Sequence, residues 1–366
     1  MSQREQLDLF ASQAKPNATV LEDLTQMQAL LQRWVERRWL RALDAQLPQT
    51  LHQLSAEPNP LIWLLCALLC HQYGRGHSCI LLSDLVDDPD GLLSLPPQNQ
   101  FLQRFSDRPS AILQGLTIQD YRTALMQSSW LQGEGGAPLV LADERLYLHR
   151  LYQAEQQVKQ LINHRVSTVL PLSGNISRQL EALFPLTDKL EPDWQKLACA
   201  MALQRRFAII TGGPGTGKTT TVVKLLALLQ QSTAASLTIK LAAPTGKAAV
   251  RLTESISGAR AKLSEQLSPQ QLECIPTDVT TLHRLLGAVP NRRSFKHNSD
   301  NPLQLDVLVV DEASMVDLEM MAALLAALPE RAQLVLLGDK DQLSSVEAGS
   351  VLGDLCRGAN VGGYSS

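Results

Sequence analysis

The sequence predicts an α/β fold with a parallel sheet, preceded by a mostly α-helical N-terminal domain. After Leu180, short apolar runs typical of strands alternate with helical patterns, as expected for parallel strands joined by crossover helices. Before residue 110, apolar residues recur at helical spacing instead. The strand-like runs are Phe207 to Thr211, Leu237 to Ala243, Val307 to Val310 and Leu334 to Leu337.

The same patterns divide the chain into three predicted segments. Helical spacing runs from Val20 to Leu47, and an apolar helix is expected from Leu61, after a turn that contains two prolines. Two apolar runs, Pro138 to Leu141 and Arg145 to Leu148, predict a short hairpin. We therefore expect a helical N-terminal domain over 1–110, a linker with the hairpin and a helix over 111–180, and the sheet domain over 181–366.

Composition narrows the class of protein. The chain has 366 residues, a formal net charge of −3, 45 % hydrophobic and 19 % charged residues, which is typical of a globular protein without a strong overall field. We find no signal peptide, and the longest apolar run, Leu61 to Cys70, is too short to span a membrane. Six cysteines without a CxxC pair favour a reduced, cytoplasmic protein.

A glycine-rich segment after the first strand of the sheet domain fits G-x-x-x-x-G-K-[ST] in full. Its glycines let backbone N–H groups turn toward phosphate oxygens, and the helix predicted from Thr220 to Leu229 adds a favourable dipole. Lys218 is expected to reach the β- and γ-phosphates, and the Thr219 hydroxyl to bind Mg²⁺. A chance glycine-rich turn is the alternative. The expected nucleotide-contacting residues are Gly212, Gly213, Pro214, Gly215, Thr216, Gly217, Lys218, Thr219 and Thr220.

Two carboxylates follow the buried strand Val307 to Val310. In open α/β sheets, ligands bind at the carboxyl ends of the strands. We therefore expect Asp311 to hold the metal ion and Glu312 to polarise an attacking water. Alone, such a pair is typical of a solvated strand end, but the phosphate loop favours the catalytic interpretation.

Three further segments narrow the class of ATPase, and two of them suit a second ligand with phosphates. Gln342, in the turn after the run Leu334 to Leu337, is placed to sense a γ-phosphate. The segment Pro244, Thr245, Gly246 and Lys247 ends another strand at a helix N-terminus, which suits a nucleic-acid phosphate. Thr281 and His283 could supply a second contact of this kind, although His283 could instead only cap and pack a helix.

The order of these segments resembles motifs I, Ia, Ic, II and III of superfamily 1 helicases. The stretch from Thr280 to Gly287 and the run Gly338-Asp-x-x-Gln342-Leu343-x-x-Val346-x-x-Gly349 resemble the 5′→3′ branch that contains the RecD family. Asp193-Trp194-Gln195-Lys196 resembles the adenine-reading Q motif of that family. The N-terminal part is similar more loosely, through Gly76-His77-Ser78-Cys79 and Pro138 to Leu141.

The resemblance implies a RecA-like P-loop NTPase sheet (helicase domain 1A) and an ATP- and Mg²⁺-dependent enzyme that moves 5′→3′ on single-stranded DNA. It also implies that the helical domain over 1–110 binds partners, and that the protein works with RecB-like and RecC-like subunits in unwinding and degrading DNA ends during double-strand break repair. Gln195 would hydrogen-bond the adenine edge. A nucleotide-gated scaffold subunit and a freestanding helicase without nuclease partners are the alternatives.

The later motifs of the family, including an arginine from a second motor domain, are not found in this sequence. We therefore expect a chain truncated at its C-terminus, which binds ATP·Mg²⁺ but hydrolyses it poorly by itself.

Two clusters of side chains, one of cysteines and histidines and one of basic residues, each allow two interpretations. Cys66, Cys70, His71, His77 and Cys79 could suggest zinc, but their spacing matches no common zinc pattern and favours buried free cysteines. A basic cluster within 290–302, a segment expected to be a mobile loop, fits either a solvated loop or a DNA-backbone contact. Its members are Arg292, Arg293, Lys296 and His297.

Overall fold

The structure is a computed structural model that describes residues 18–103, 105–132, 136–171, 174–184, 192–213, 215–233, 236–292, 294–339 and 351–357. The chain divides into two compact units between Gln153 and Ala154. Unit 1 is mostly helical and unit 2 contains a parallel sheet, as the sequence predicts. No helix among the described residues is long and apolar enough to cross a membrane.

Unit 1 is built from helices around a tryptophan-rich core. Trp34, Trp63 and Trp130 are buried in it, at 0 %, 1 % and 0 % exposure. The helices are α1 (Leu24–Glu36), α2 (Ala42–Leu54), α3 (Pro60–Tyr73), α4 (Leu82–Asp87), α5 (Pro89–Leu93), α6 (Pro109–Ile112), α7 (Ile118–Gln127), α8 (Ser129–Gln132) and α9 (His149–Ser167), the last of which crosses into unit 2.

The stretch with helical spacing from Val20 to Leu47 contains helix α1 and the first part of α2. Helix α1 ends because Arg38 adopts a left-handed conformation with φ 62°. The backbone N–H groups of Arg38 and Trp39 then donate to the carbonyls of Val35 and Trp34, at 2.9 and 2.8 Å. This hydrogen-bond pattern closes a helix without help from a side chain.

Helix α3 is buried on all sides, which explains its uninterrupted apolar sequence. Asn59 caps its N-terminus by accepting from the Leu61 N–H at 3.0 Å, and Pro60 occupies the first turn. Cys66 and Cys70 lie inside this helix as buried free thiols. Among the described residues, no three or more His, Cys, Asp or Glu side chains are grouped so as to hold a metal ion.

The predicted hairpin is present, but it belongs to unit 1 and not to a linker. Strands β2 (Leu139–Ala142) and β3 (Arg145–Leu148) pair antiparallel, and β3 also pairs with β1 (Cys79–Leu81). Because β1 lies far earlier in the chain, this pairing ties the hairpin to the helical unit. The division into compact units falls between Gln153 and Ala154, and the domain boundaries at 110 and 180 stay predictions.

The described residues of unit 2 form a five-stranded parallel sheet in the order β4-β8-β7-β5-β6. Apolar layers cover both of its faces, one packed against α16 and the other against α12 and α13. Its elements are α10 (Gly174–Leu183), α11 (Trp194–Leu203), β4 (Phe207–Thr211), α12 (Lys218–Gln231), β5 (Ile239–Ala243), α13 (Gly246–Lys262), α14 (Pro269–Glu273), β6 (Val279–Thr281), α15 (Leu282–Leu286), β7 (Val307–Val310), α16 (Leu318–Ala327), β8 (Gln333–Gly338) and α17 (Val351–Leu355).

Candidate nucleotide and nucleic-acid site

Parallel strands end at the same edge of a sheet, so the segments that follow them come together. In unit 2, β4 leads into the phosphate loop, β7 into the acidic pair, and β5 and β6 into the starts of two helices. Strand β8 ends at Gly338, whose carbonyl accepts the Gly212 N–H at 3.2 Å. The fold therefore brings the predicted motifs to one edge in a fixed order.

The phosphate loop turns through two left-handed glycines, Gly215 with φ 76° and Gly217 with φ 85°. Any other residue would be strained in this region. A Cβ atom on Gly217 would also lie only 2.5 Å from Nε2 of Gln195. Within the loop, the Thr216 hydroxyl donates to the Gly213 carbonyl at 2.9 Å. The left-handed conformation thus favours glycine at position 217, and a larger residue there would also displace the Gln195 side chain.

Lys218 is the first residue of helix α12 and lies half-buried against its own loop. Its ammonium group donates to the carbonyls of Gly212 and Gly213, the latter at 2.9 Å. Thr219 and Thr220 follow in the first turn, where the helix dipole favours an anion. To bind phosphate, Lys218 has to exchange these carbonyls for phosphate oxygens.

The acidic pair sits where β7 leaves the sheet. The Asp311 N–H donates to the Ala242 carbonyl of β5 at 2.9 Å, which fixes the start of the turn. Glu312 adopts a left-handed conformation, φ 51°, and leads into a short 3₁₀ helix, Ala313–Met315. A non-glycine residue in this region is strained, and such strain often accompanies function.

Burial is the largest influence on Asp311 and raises the pKa of its carboxyl group, with Glu312 nearby adding to the rise. The Lys218 cation and a backbone hydrogen bond at Glu312 act against this rise. Among the described residues Asp311 forms no salt bridge. A desolvated carboxylate of this kind gains from a nearby cation.

The residues present fit a magnesium ion. Mg²⁺ in nucleotide sites is bound by one or two protein oxygens, with phosphate and water completing the shell. The Asp311 carboxylate and the Thr219 hydroxyl, both half-buried, are oxygens of the right type. A larger group of acidic or histidine ligands is not required for such a site.

Of the two glutamines predicted to belong to the nucleotide site, the structure describes Gln195 but not Gln342. The Gln195 side chain donates to the Thr216 carbonyl at 3.0 Å, so it lies against the phosphate loop. Its contact with adenine is still a prediction. Gln342 lies outside the described residues, and so does Pro214.

The predicted nucleic-acid contacts lie at the ends of β5 and β6, which are paired so that Ala243 is opposite Thr281. Thr245 and Thr281 are N-caps, accepting backbone N–H groups at 3.2 and 3.3 Å. Between the two caps, the first turn of α13 adds exposed Lys247. Pro244 and Gly246 lie in the same turn. Each helix start therefore carries a capping hydroxyl, which is exposed at Thr245 and half-buried at Thr281.

His283 is exposed on α15 and contacts the ring of Phe295, with ring centroids 6.0 Å apart. Phe295 belongs to the basic segment 290–302, which has no helix or strand in its described part. The backbone of Lys296 and His297 donates to the carbonyls of Gly287 and Leu286, both at 2.9 Å. The basic segment therefore folds back beside His283. Arg293 lies outside the described residues.

Sequence reasoning missed two parts of this edge. Strand β6 (Val279–Thr281) is short and polar, so no apolar run signalled it. The carbonyl of Gly338 supports the phosphate loop, although only its place at the end of an apolar run could have suggested this role.

Comparison with known proteins gives two family matches. The model described as the RecBCD enzyme subunit RecD, N-terminal domain, matches residues 36–147, and an AAA domain model matches residues 195–348. The first lies within unit 1 and the second covers the phosphate loop and the acidic pair.

Several relatives align over most of the chain. A RecBCD enzyme subunit RecD from Haemophilus influenzae is 40 % identical over 84 % of this chain and 49 % of its own length. The subunit of the same name from Mycolicibacterium smegmatis is 38 % identical over 89 % of this chain and 54 % of its own length. An ATP-dependent RecD2 DNA helicase from Deinococcus radiodurans is 35 % identical over 62 % of this chain and 29 % of its own length. The chain spans about half the length of the RecD subunits that it matches.

Proposed function

Because this chain belongs to the RecD family, we propose that it is an ATP-dependent 5′→3′ DNA helicase subunit. The observation that carries the proposal is the shared sheet edge, where the phosphate loop, the acidic pair and two capped helix starts meet. An ATPase needs the first two, and a motor on nucleic acid also needs the third.

In this proposal the phosphate loop and Lys218 hold the β- and γ-phosphates, and Thr219 and Asp311 hold Mg²⁺. The metal ion, when bound, neutralises charge on the transferred phosphoryl group. Glu312 orients the attacking water and accepts its proton, while the bond from the γ-phosphorus to the leaving ADP oxygen breaks. Gln195, next to the loop, hydrogen-bonds the adenine edge, and Gln342 senses the γ-phosphate.

DNA is proposed to lie across the starts of α13 and α15. The hydroxyls of Thr245 and Thr281 and the ammonium group of exposed Lys247 suit phosphate oxygens and do not distinguish one base from another. His283 and the basic segment beside it extend this contact. Such a surface suits single-stranded DNA of any sequence, which a translocating motor must accept.

We further propose that the protein works in the cytoplasm with RecB-like and RecC-like subunits, in unwinding DNA ends for double-strand break repair. Six of the matching relatives bear the name RecBCD enzyme subunit RecD, and the N-terminal domain model of that subunit matches unit 1. These matches favour a complex over a freestanding helicase.

The test is phosphate release by the assembled complex, with and without single-stranded DNA. The matched variant is Glu312→Gln, which keeps the shape of the side chain but loses the base. We expect DNA to stimulate turnover by the unchanged chain, and Glu312→Gln to bind ATP while its own contribution to turnover collapses. Unwinding should require a 5′ tail when a partner motor is inactivated.

A complex in which Glu312→Gln leaves both turnover and 5′-tailed unwinding intact would contradict the proposal. ATP binding without any turnover by this subunit would instead support the scaffold alternative. If the protein purified from cells without RecB-like and RecC-like subunits, this would favour a freestanding helicase.

A further inference from the structure

The five tryptophans of the chain fall into two classes. Trp34, Trp39, Trp63 and Trp130 lie in the core of unit 1 and are at most 3 % exposed. Trp194 lies in unit 2 and is 57 % exposed. A large indole left in water forgoes the stabilisation that its burial would give. An exposed tryptophan beside a binding site therefore suggests a ligand contact.

Trp194 lies at the start of helix α11, one residue before the glutamine that contacts the phosphate loop. It is the first residue of helix α11, after Asp193, whose carboxylate accepts the N–H groups of Gln195 and Lys196 at 3.0 Å each. One residue further on, the Gln195 side chain donates to the Thr216 carbonyl of the loop at 3.0 Å.

A second contact fixes the same helix. The Cys199 thiol donates to the Thr221 carbonyl of helix α12 at 3.4 Å, and both groups are buried. Helix α11 is thus tied to the phosphate loop at one point and to the phosphate-binding helix at another. The position of the Trp194 backbone relative to the loop is therefore set by packing.

We propose that the indole of Trp194 is the surface on which the purine base of the bound nucleotide stacks. The proposal rests on the nucleotide site proposed above. A base needs both a face and an edge to be recognised, and an aromatic ring and an amide on adjacent residues supply these two kinds of contact. Stacking is tolerant of the base, so Trp194 contributes affinity for purine nucleotides, whereas the amide of Gln195 selects adenine.

The test compares two probes that share phosphates but not a base, Mg·ATP and Mg·tripolyphosphate. Binding is measured by calorimetry in the intact chain, in Trp194→Ala and in Trp194→Phe. We expect Trp194→Ala to weaken Mg·ATP binding roughly 5- to 150-fold, which corresponds to about 1–3 kcal/mol for one base–aromatic stack. Mg·tripolyphosphate binding should be unchanged. Trp194→Phe, which keeps a ring, should recover most of the affinity for ATP.

A matched control uses Met201, which is 50 % exposed and lies two turns along the same helix. Met201→Ala removes an exposed apolar side chain from α11 and should bind both probes like the unchanged chain. Acrylamide quenching gives an independent readout, because the other tryptophans are buried. Mg·ATP should protect Trp194 from acrylamide, and Mg·tripolyphosphate should not.

Equal weakening of both probes by Trp194→Ala would mean that the side chain supports the loop and does not stack on a base. Unchanged ATP binding in Trp194→Ala, with strong loss in Lys218→Ala, would overturn the stacking proposal while leaving the nucleotide site intact. Absence of any Lys218-dependent ATP binding would overturn both.

Discussion

At the scale of single residues, Lys218 has a measurable part in the proposed nucleotide site. Its ammonium group donates to two carbonyls of its own loop. Lys218→Ala removes the charge that should reach the phosphates but leaves strand β4 and helix α12 intact. We expect ATP affinity to fall by about 1.5–3 kcal/mol, the contribution of a charged hydrogen bond. Calorimetric titration checks this, with Lys262→Ala, an exposed lysine at the end of α13, as the control. Unchanged ATP binding would refute the assignment.

The charged carboxylate of Asp311, the proposed ligand of the metal ion, should lower the free energy of unfolding. Burial raises the pKa of its carboxyl group, so the folded chain favours the protonated form. The unfavourable contribution is complete above this raised pKa, and it vanishes as the pH falls below that of an ordinary aspartate, about 3.9. Asp311→Asn should therefore increase the free energy of unfolding at neutral pH, and this gain should shrink as the pH falls.

Urea unfolding of unit 2 at pH 7 and at pH 4.5 measures the free energy of unfolding of Asp311→Asn relative to the unchanged chain. The same variant should lose Mg²⁺-dependent turnover, since it loses the charged ligand. Asp300→Asn, at an exposed loop position, provides the control and should change neither property. A lower stability of Asp311→Asn at neutral pH would show that the carboxylate is stabilised rather than strained by its surroundings.

At the scale of elements, helix α9 is fastened to the turn before β8 by one buried arginine. Arg165 is 3 % exposed and donates to the carbonyls of four residues in that turn, at 2.9–3.3 Å. Arg165→Met keeps most of the apolar stem but removes the guanidinium donor from these four carbonyls, of which Pro329 keeps the Ala332 N–H. We expect a loss of about 2–4 kcal/mol in the free energy of unfolding of unit 2. Arg178→Met, at an exposed position on α10, should be nearly neutral in the same urea titration.

Elements with uninterrupted patterns could be predicted from the sequence. Strands β4 and β7 match the predicted runs to the residue, because strands covered by helices on both faces are continuously apolar. Helix α3 was predicted for the same reason. Strand β6 could not be predicted, because its Val-Thr-Thr sequence lacks an apolar run. The break at Arg38 was missed since its left-handed turn is closed by backbone hydrogen bonds alone.

The candidate site also has parts that could be predicted from the sequence and parts that could not. A phosphate loop and an acidic pair are sets of consecutive residues, so their chemistry is visible in one stretch of sequence. The strand order, by contrast, arises from pairing between distant segments. The neighbouring positions of Thr245 and Thr281, and the contact of Gln195 with Thr216, follow only from that order and packing.

At the scale of the whole molecule, the proposed DNA contact should be electrostatic and insensitive to sequence. Lys247→Ala should weaken single-stranded DNA binding equally for all sequences. It should also reduce the slope of log affinity against log salt by about 0.7, the effect of one lost phosphate contact. Fluorescence anisotropy at several salt concentrations measures the slope. Lys262→Ala, at the far end of the same helix, should leave it unchanged. A loss confined to some sequences would indicate base reading instead.

The strand order β4-β8-β7-β5-β6 also sets a length. Neighbouring strands lie about 4.8 Å apart, so the phosphate loop after β4 is about 14 Å from the helix start after β5 and about 19 Å from Thr281 after β6. Gly338 of β8 and Asp311 of β7 occupy the interval. Asp311 lies one strand from β5, so the proposed nucleotide site comes closest to the proposed DNA contact at the acidic pair. We expect a signal between the two ligands to pass from the phosphate loop through the ends of β8 and β7 to the end of β5.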